Sequence, residues 1–582
     1  MTAPFSDLGS FLAHLEAQKD LVRVRAEVDP RLEMTEIATR LVKAGGPAVV
    51  FERATGSPYP VAINFMATAR RLEWALGRAP AQIGEELAAA AEDFAPPTVS
   101  ALWRHRGLVA RALKMRPQRV VGPAVVELPR LDTWPVLTCW PEDGGRFVTL
   151  PLVITKSPSN GRQNLGMYRL QVYDERTTGM HIQIERGGGA HYAEYESRGE
   201  SMPVAVALGG DPVTILASVL PLPENMDELS FAGFLRNQRT RVFSLSNGLQ
   251  APANAEFVLE GHVPIHERRL EGPFGDHFGH YSHAAPFPVF YVSKVHRRQN
   301  PIYPATVVGK PPQEDKFLGN AVQEMLLPLL KVMRPELVDL WAYFEAGFHN
   351  LAVASVRQRY PKEAVKTALG LMGQGQMSLT KCVVLVDPSV NVRKFGDVLD
   401  ALRTHFNPAE DWILLPGTPQ DTLDFTSFKM NLGSKMILDA TSLGPQNQPT
   451  TSARPSRVEV DGVEFPARNW RDALLVVRTS GPGRPLIEKI LRNPAFSGYN
   501  LIAAVSEDVP LDDDELLLWG LFTRFDCARD VVPASVKMNG AWPAYLGPLG
   551  VDATWKSGYP KPLVMKEDIV HRVNRRWKEY GL

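Results

Sequence analysis

Residues 382–413 align without a gap on residues 501–532, an offset of 119 at which eight of 32 positions are identical. The shared positions include Val386/Val505, Leu399/Leu518, Leu402/Leu521, Phe406/Phe525 and Asp411/Asp530. Each copy reads as a short apolar run, an acidic turn and an amphipathic helix, the pattern of a strand–helix unit. Two such units in one parallel sheet would use the favoured crossover geometry, so the repeat predicts an α/β C-terminal region. Residues 442–468 between the copies are polar and rich in proline, which reads as an exposed loop or insertion.

The rest of the chain divides by texture. Near the N-terminus, Ser6 is placed to cap a helix carrying Leu8, Phe11, Leu12 and Leu15 on one face. A strand over 21–24, a helix over 32–43 and a strand over 48–51 follow, then a helical connector over about 68–113. This predicts an N-terminal α/β unit over residues 1–118. From 119 to 315 the pattern changes to strands separated by Gly, Pro, Ser and Asn clusters, with a helix from Glu228 to Leu235. Many strands and few helices suggest a β-barrel or sandwich. A linking helix over 316–335 leads to the α/β region of 336–560. In the tail, 561–582, Ile569, Val570, Val573 and Trp577 recur at helical spacing, which predicts a docked terminal helix with a solvated basic face.

Sixty-four basic residues balance 64 acidic ones in the 582-residue chain, which argues against a nucleic-acid partner. Cys139, Cys382 and Cys527 form no motif, which argues against a disulfide framework or zinc site and fits a reducing cytoplasm. The chain has neither a secretory apolar segment at its start nor a run long enough to span a bilayer, so stable membrane insertion is not expected.

Two stretches carry chemistry. In Glu271-Gly272-Pro273-Phe274-Gly275-Asp276, carboxylates flank a forced turn. Residues five apart on a flat strand point to opposite faces, and the Gly-Pro-Phe-Gly insert breaks that alternation. Both acids could then face one site, one protonated and the other charged; a turn bearing two solvated acids is the alternative. The second stretch reads as a hairpin of residues 168–173 and 180–184. Arg169, Gln171 and Tyr173 share one face of its first arm, and His181, Gln183 and Glu185 one face of its second. Gly187-Gly188-Gly189 follows, offering backbone that a phosphate or ring could approach closely.

Together, Asn164-Leu165-Gly166-Met167-Tyr168-Arg169, Asn225-Met226-Asp227-Glu228 and the Glu271–Asp276 turn resemble the signature set of the UbiD-family decarboxylases. The likeness continues through Gly309-Lys310-Pro311-Pro312, Phe348-His349-Asn350 and residues 374–381. It implies α/β plus β architecture: a central split β-barrel flavin-binding domain, then a Rossmann-like C-terminal oligomerisation domain. It implies an enzyme, a carboxy-lyase of aromatic or unsaturated acids that uses prenylated FMN, with a flavin prenyltransferase supplying that cofactor and assembly as a homodimer or homohexamer. Carried onto this chain, Glu271 is the proton shuttle, Arg169 holds the substrate carboxylate and Asp276 tunes Arg169. The flavin would be bound by Asn164, Arg169, Gln183, Arg186, Ser218, Glu228 and Lys381. Its phosphate would be held through Mn²⁺ or Mg²⁺, with K⁺ nearby, on Asn164, Glu185 and Glu228. Glu185 stands where relatives carry His, and His181 is the other candidate for that ligand. The stretches around 271–315 and 433–441 most resemble the longer branch assigned to menaquinone biosynthesis, implying 1,4-dihydroxy-6-naphthoate as substrate. Hydroxybenzoate-type acids are the alternative, and a split-barrel flavin reductase a distant one.

Overall fold

The computed structural model describes residues 5–96, 98–182, 187–223, 226–442 and 454–582. They form two compact units, one of residues 1–276, 280–325 and 562–582, the other of 277–279 and 326–561.

The first unit is organised by a ten-stranded sheet. Its path runs Arg146–Val148, Leu170–Val172, Thr177–Gly179, Ala285–Arg297, Ala255–Val263, Met202–Gly209, Pro151–Lys156 and Gln163–Met167, with Arg268–Glu271 and Val125–Glu127 also paired to Ala285–Arg297. This is the expected split barrel. Alternation explains why both faces of the sheet are dry. Along Met202–Gly209, Val204, Val206 and Leu208 enter one apolar cluster, while Ala205 and Ala207 enter another. Leu152 and Ile154 divide from Val153 in the same way.

A four-stranded sheet led by Leu21–Val28 and Ala48–Ala54 feeds the same two clusters. The first helix, Leu8–Ala17, is capped by Asp7 rather than Ser6. The Asp7 carboxylate accepts from Ser10 N–H at 2.8 Å, and the Ser10 hydroxyl completes a capping box. The terminal helix Glu567–Arg576 buries Ile569 and Val573, and beyond it the Tyr580 hydroxyl donates to Glu33 at 2.7 Å.

The second unit corrects the reading of the repeat. The copies do not share a sheet; each is the centre of its own. Strands Leu337–Ala342, Leu351–Val356, Cys382–Val386, Leu432–Ala440 and Trp412–Pro419 lie in that order in one sheet. Strands Ala467–Trp470, Leu474–Thr479, Leu501–Ser506, Trp542–Ala553 and Val531–Asn539 repeat the order in the other. Duplication therefore extends beyond the 32 aligned residues to an entire five-stranded layer. The physical reason lies between the copies, where Leu432–Ala440 and Leu474–Thr479 are apolar enough to finish one sheet and start the next. One apolar cluster joins the sheets, taking Val353, Val384 and Leu438 from the first and Val476, Ala503 and Val505 from the second.

The copies also clasp each other. The Lys381 ammonium donates to the carbonyls of Phe522 at 2.6 Å and Phe525 at 3.0 Å. Asn500, its repeat counterpart, donates to the carbonyls of Leu402 at 2.6 Å and Phe406 at 3.1 Å. Phe406 and Phe525 are themselves a repeat pair. Each side chain thus satisfies carbonyls left over at the end of the other copy's helix.

Candidate active site

Arg169, Glu271, Asp276 and His181 meet inside the first unit. Arg169 follows the strand Gln163–Met167, and Glu271 ends Arg268–Glu271. Arg169 Nε donates to Glu271 Oε1 at 3.0 Å, its Nη1 donates to Asp276, and its Nη2 donates to the Ser282 hydroxyl at 3.2 Å. One guanidinium therefore bridges both acids of the turn. Solvated acids are excluded, since the side chains of Glu271 and Asp276 are 0% and 8% exposed. The Phe274 ring lies 4.7 Å from the guanidinium carbon, closing one face of Arg169 with a cation–π contact.

The turn is held at each N–H it possesses. Gly272 takes φ +90°, a conformation that a side chain would strain. Its N–H donates to Gln171 Oε1 at 2.8 Å, and Phe274 N–H donates to Ser282 Oγ at 3.2 Å. Gly275 N–H donates to Asp143 Oδ1 at 2.8 Å, and Asp276 N–H to the His280 carbonyl at 3.2 Å. Gln171 also donates to the Gly144 carbonyl at 2.8 Å, tying two loops to one strand. Burial pushes the Asp143 carboxyl up to about 7. Sequence reasoning missed Asp143 and Ser282, since neither lies in a motif and their roles exist only once the turn has folded.

The expectation that one acid of the pair is protonated fails for Glu271. Burial raises its pKa, but the Arg169 charge and hydrogen bonds from His181 and Arg169 outweigh that and hold it below the ordinary carboxylate range. His181 Nδ1 lies 3.0 Å from Glu271 Oε1. A charged Glu271 only accepts, so Nδ1 carries the proton and Nε2 is bare. Burial, aided by the Arg169 charge, lowers the His181 pKa and keeps the ring neutral. His181 Nε2 and Glu271 Oε2 are both buried without a hydrogen-bond partner among the described residues. They are the two open acceptors of the cluster. Phe287 lies against His181 with ring centroids 4.2 Å apart.

These shifts give a pH dependence of fixed sign. Unfolding returns His181 to its ordinary pKa near 6.5, so below that the unfolded chain binds the extra proton and stability falls. Glu271 acts in the same direction at lower pH. Asp143 and Glu228, pushed up to about 7, take up protons in the folded state over the same range and act oppositely in both proteins. Denaturant titrations from about pH 7 down to 5 should therefore show the wild type losing stability relative to His181→Asn.

The hairpin is shorter than its alternation suggests. Leu170–Val172 pairs with Thr177–Gly179, and Met180–Ile182 is no longer strand. Gln183, Glu185 and Arg186 lie outside the described residues. The glycine triplet opens the helix Gly187–Arg198. A Cβ on Gly187 would collide with Asn164 Oδ1, and one on Gly188 would sit 2.9 Å from the Tyr168 ring. Close approach is needed there, but to the chain's own strand.

Asn164 and Glu228 meet at that strand. Glu228 begins the helix Glu228–Arg236, and its Oε2 accepts from Leu165 N–H at 2.7 Å. Burial, with Asp227 alongside, pushes its carboxyl up to about 7, and no cation among the described residues offsets the charge. Asn164 precedes Leu165 in the strand that Glu228 holds, and a half-buried carboxylate and an amide are donors that suit a hard divalent cation, so both residues fit the expected metal. His181 directs its Nδ1 to Glu271. Ser218 caps the helix Pro212–Ala217 and donates to the Ile215 carbonyl at 2.7 Å. Lys381 belongs to the second unit. Its three donors go to Phe522, Phe525 and, at 2.9 Å, Asp424. Phe278 packs with Leu423 and Tyr559.

Comparison with known proteins places this geometry. Family models for the 3-octaprenyl-4-hydroxybenzoate carboxy-lyase (UbiD) N-terminal, Rift-related and C-terminal domains match residues 12–91, 116–311 and 316–440. A protein of Chlamydia pneumoniae, named as a component of 4-hydroxybenzoate decarboxylase, is 38% identical, covering 99% of this chain and 98% of its own. Among solved structures, vanillic acid decarboxylase of Sedimentibacter hydroxybenzoicus in closed form is 25% identical with a TM-score of 0.66, over 78% of this chain and 96% of that one. The UbiD-class enzyme HmfF of Pelotomaculum thermopropionicum in complex with FMN is 26% identical with a TM-score of 0.64, over 78% and 98%. An evolved dimeric form of it in complex with prFMN is 25% identical with a TM-score of 0.63, over 79% and 98%.

Proposed function

This chain belongs to the UbiD family of carboxy-lyases, and from that premise we propose that it removes CO₂ non-oxidatively from an aromatic carboxylic acid with prenylated FMN. The observation that carries the reading is the buried guanidinium of Arg169 shared between Glu271 and Asp276. Arg169 presents a planar fork that suits a carboxylate. Asp276 and Ser282 fix one end of that fork. A substrate carboxylate drawn to Arg169 competes with Glu271 for its charge. With that hold weakened, burial dominates and the Glu271 pKa rises, so Glu271 takes up a proton.

Cleavage of the C–C bond releases CO₂ and leaves an electron pair on the ring carbon. Prenylated FMN, when bound, supplies the sink for that pair. Glu271 then gives its proton to the same carbon, and His181 holds the carboxylate that remains. Asn164 and Glu228, with Glu185, would hold the Mn²⁺ or Mg²⁺ that binds the flavin phosphate, and Ser218 would contact the flavin. A flavin prenyltransferase would supply the cofactor.

For the substrate, resemblance to the longer menaquinone branch supports 1,4-dihydroxy-6-naphthoate, and Phe287 beside His181 offers an aromatic surface for the ring. A hydroxybenzoate is the second reading, favoured by the name of the 38%-identical relative. Protein co-expressed with a prenyl-FMN synthase should release CO₂ from dihydroxynaphthoate with a kcat/KM above that for hydroxybenzoates or cinnamates. Turnover of none of these would end the decarboxylase reading for this chain. The metal set is tested separately by elemental analysis. Glu228→Gln should lose bound Mn²⁺, whereas Glu185→His should retain it with altered affinity.

A further inference from the structure

Residues 94–126 contain no acidic side chain, yet carry Arg104, Arg106, Arg111, Lys114, Arg116 and Arg119. Most of this stretch, 94–115, falls between the parts of the chain matched by the N-terminal and Rift-related family models. It folds as two short helices, Val99–Arg104 and Arg106–Ala112, whose inward residues are Ala101, Leu108 and Arg111. The outward face is not polar. Val99 is 84% exposed, Trp103 72%, Leu113 69% and Val121 93%, with Leu102 and Val109 also in water. Apolar groups at that density on the solvent side of a helical segment mark a surface that something covers.

Charge identifies the cover. Arg104 pairs with Asp93 and Arg111 with Glu86, but Arg106, Lys114, Arg116 and Arg119 are exposed. Arg106 lies over the Trp103 ring with its guanidinium carbon 5.1 Å from the centroid. The strand Gln118–Arg119 pairs with Arg241–Ser244, bringing exposed Arg241 beside it. Exposed Trp, Leu and Val interleaved with unopposed Arg and Lys form the composition of an interfacial helix. The apolar residues enter the acyl boundary, Trp sits at headgroup level, and the cations meet lipid phosphates. A second copy docked by symmetry would set these cations against themselves. A nucleic acid would leave Val99, Leu113 and Val121 without a partner, since only planar side chains stack on bases.

We propose that residues 98–121 dock the protein reversibly on an anionic phospholipid bilayer, Trp103 and Leu113 entering the interface and Arg106, Lys114 and Arg116 contacting headgroups. This is surface attachment, not insertion. Among the described residues no helix is long and apolar enough to cross a membrane. None of the docking residues belongs to the decarboxylase cluster, so the proposal stands or falls apart from the substrate.

The test is co-sedimentation of the full chain with vesicles of phosphatidylcholine alone or mixed with phosphatidylglycerol, at low and high salt. Binding is expected to the mixed vesicles at low salt, to be at least about tenfold weaker to the neutral ones, and to fall as salt rises. R106E/K114E/R116E should weaken binding by about a hundredfold or more, since each surface cation is worth about fivefold. W103S/L113S should weaken it too while leaving its salt dependence. Each variant is compared with the wild type by thermal unfolding and by decarboxylase activity, which should not change. No binding to anionic vesicles, or binding by both variants as tight as that of the wild type, overturns the proposal. So does a W103S/L113S variant whose sedimentation velocity reports a smaller assembly than the wild type, which would assign the patch to a second copy.

Discussion

Glu271→Gln is expected to lower the decarboxylation kcat by about 10²–10⁴-fold, the range set by removing a positioned proton donor. The variant should still fold. Gln is isosteric, and Arg169 keeps Asp276 and Ser282 as partners. Because the substrate carboxylate no longer competes with a charged Glu271 for Arg169, KM for the acid should fall rather than rise. Asp276→Asn should behave differently. It frees one end of the guanidinium and removes a counter-charge without removing the proton donor, so KM should rise more than kcat falls. Steady-state kinetics on both variants, with cofactor content checked by absorbance, separate the two roles. Equal kcat losses with unchanged KM would mean that Asp276 does not act through Arg169.

The largest effect on stability is expected at Lys381. Its ammonium is fully buried, paired with the equally buried Asp424 and bonded to two carbonyls of the other copy. Lys381→Met leaves the Asp424 carboxylate without its partner, which costs about 3–5 kcal/mol. Gln420 also donates to Asp424 at 2.8 Å, but a neutral amide does not replace the lost charge. Asn500→Ala removes the mirror contact but no charge, and should cost about 1–3 kcal/mol. A Lys381→Met/Asp424→Leu double variant should recover part of the loss, since no charge is then stranded. Denaturant unfolding of the three variants tests this ordering. A Lys381 variant no less stable than Asn500→Ala would rule out the clasp as described.

Much of the site is legible in the sequence, for reasons that can be named. Glu271 and Asp276 stand five apart across a Gly-Pro-Phe-Gly insert that no regular strand accommodates, so the turn and its two acids announce themselves. Arg169 lies in a stretch of alternating polar residues, between two strands, and its bond to both acids closes the set. Other features depend on separations that a linear pattern does not encode. Gln171 holds Gly272 from 101 residues away and Asp143 holds Gly275 from 132, and neither spacing carries a periodic signal. His181 meets Glu271 from 90 residues away, a proximity that no spacing announces. The glycine triplet announces close approach, but Asn164 and Tyr168, which it approaches, lie on another element that no local pattern names. In the second unit the repeat is visible where its residues are identical. Its extension to a whole sheet is hidden because the outer strands keep only apolar character, which many sequences satisfy.

The most direct test is the fate of a solvent deuteron. Prenyl-FMN-loaded protein incubated with its aromatic acid in D₂O should yield a product with deuterium at the carbon that lost CO₂. Glu271→Gln should release CO₂ and incorporate deuterium at rates lower by the same factor. A Glu271→Gln protein that incorporates deuterium as fast as the wild type would contradict the role of the buried Arg169–Glu271–Asp276 cluster in moving that proton.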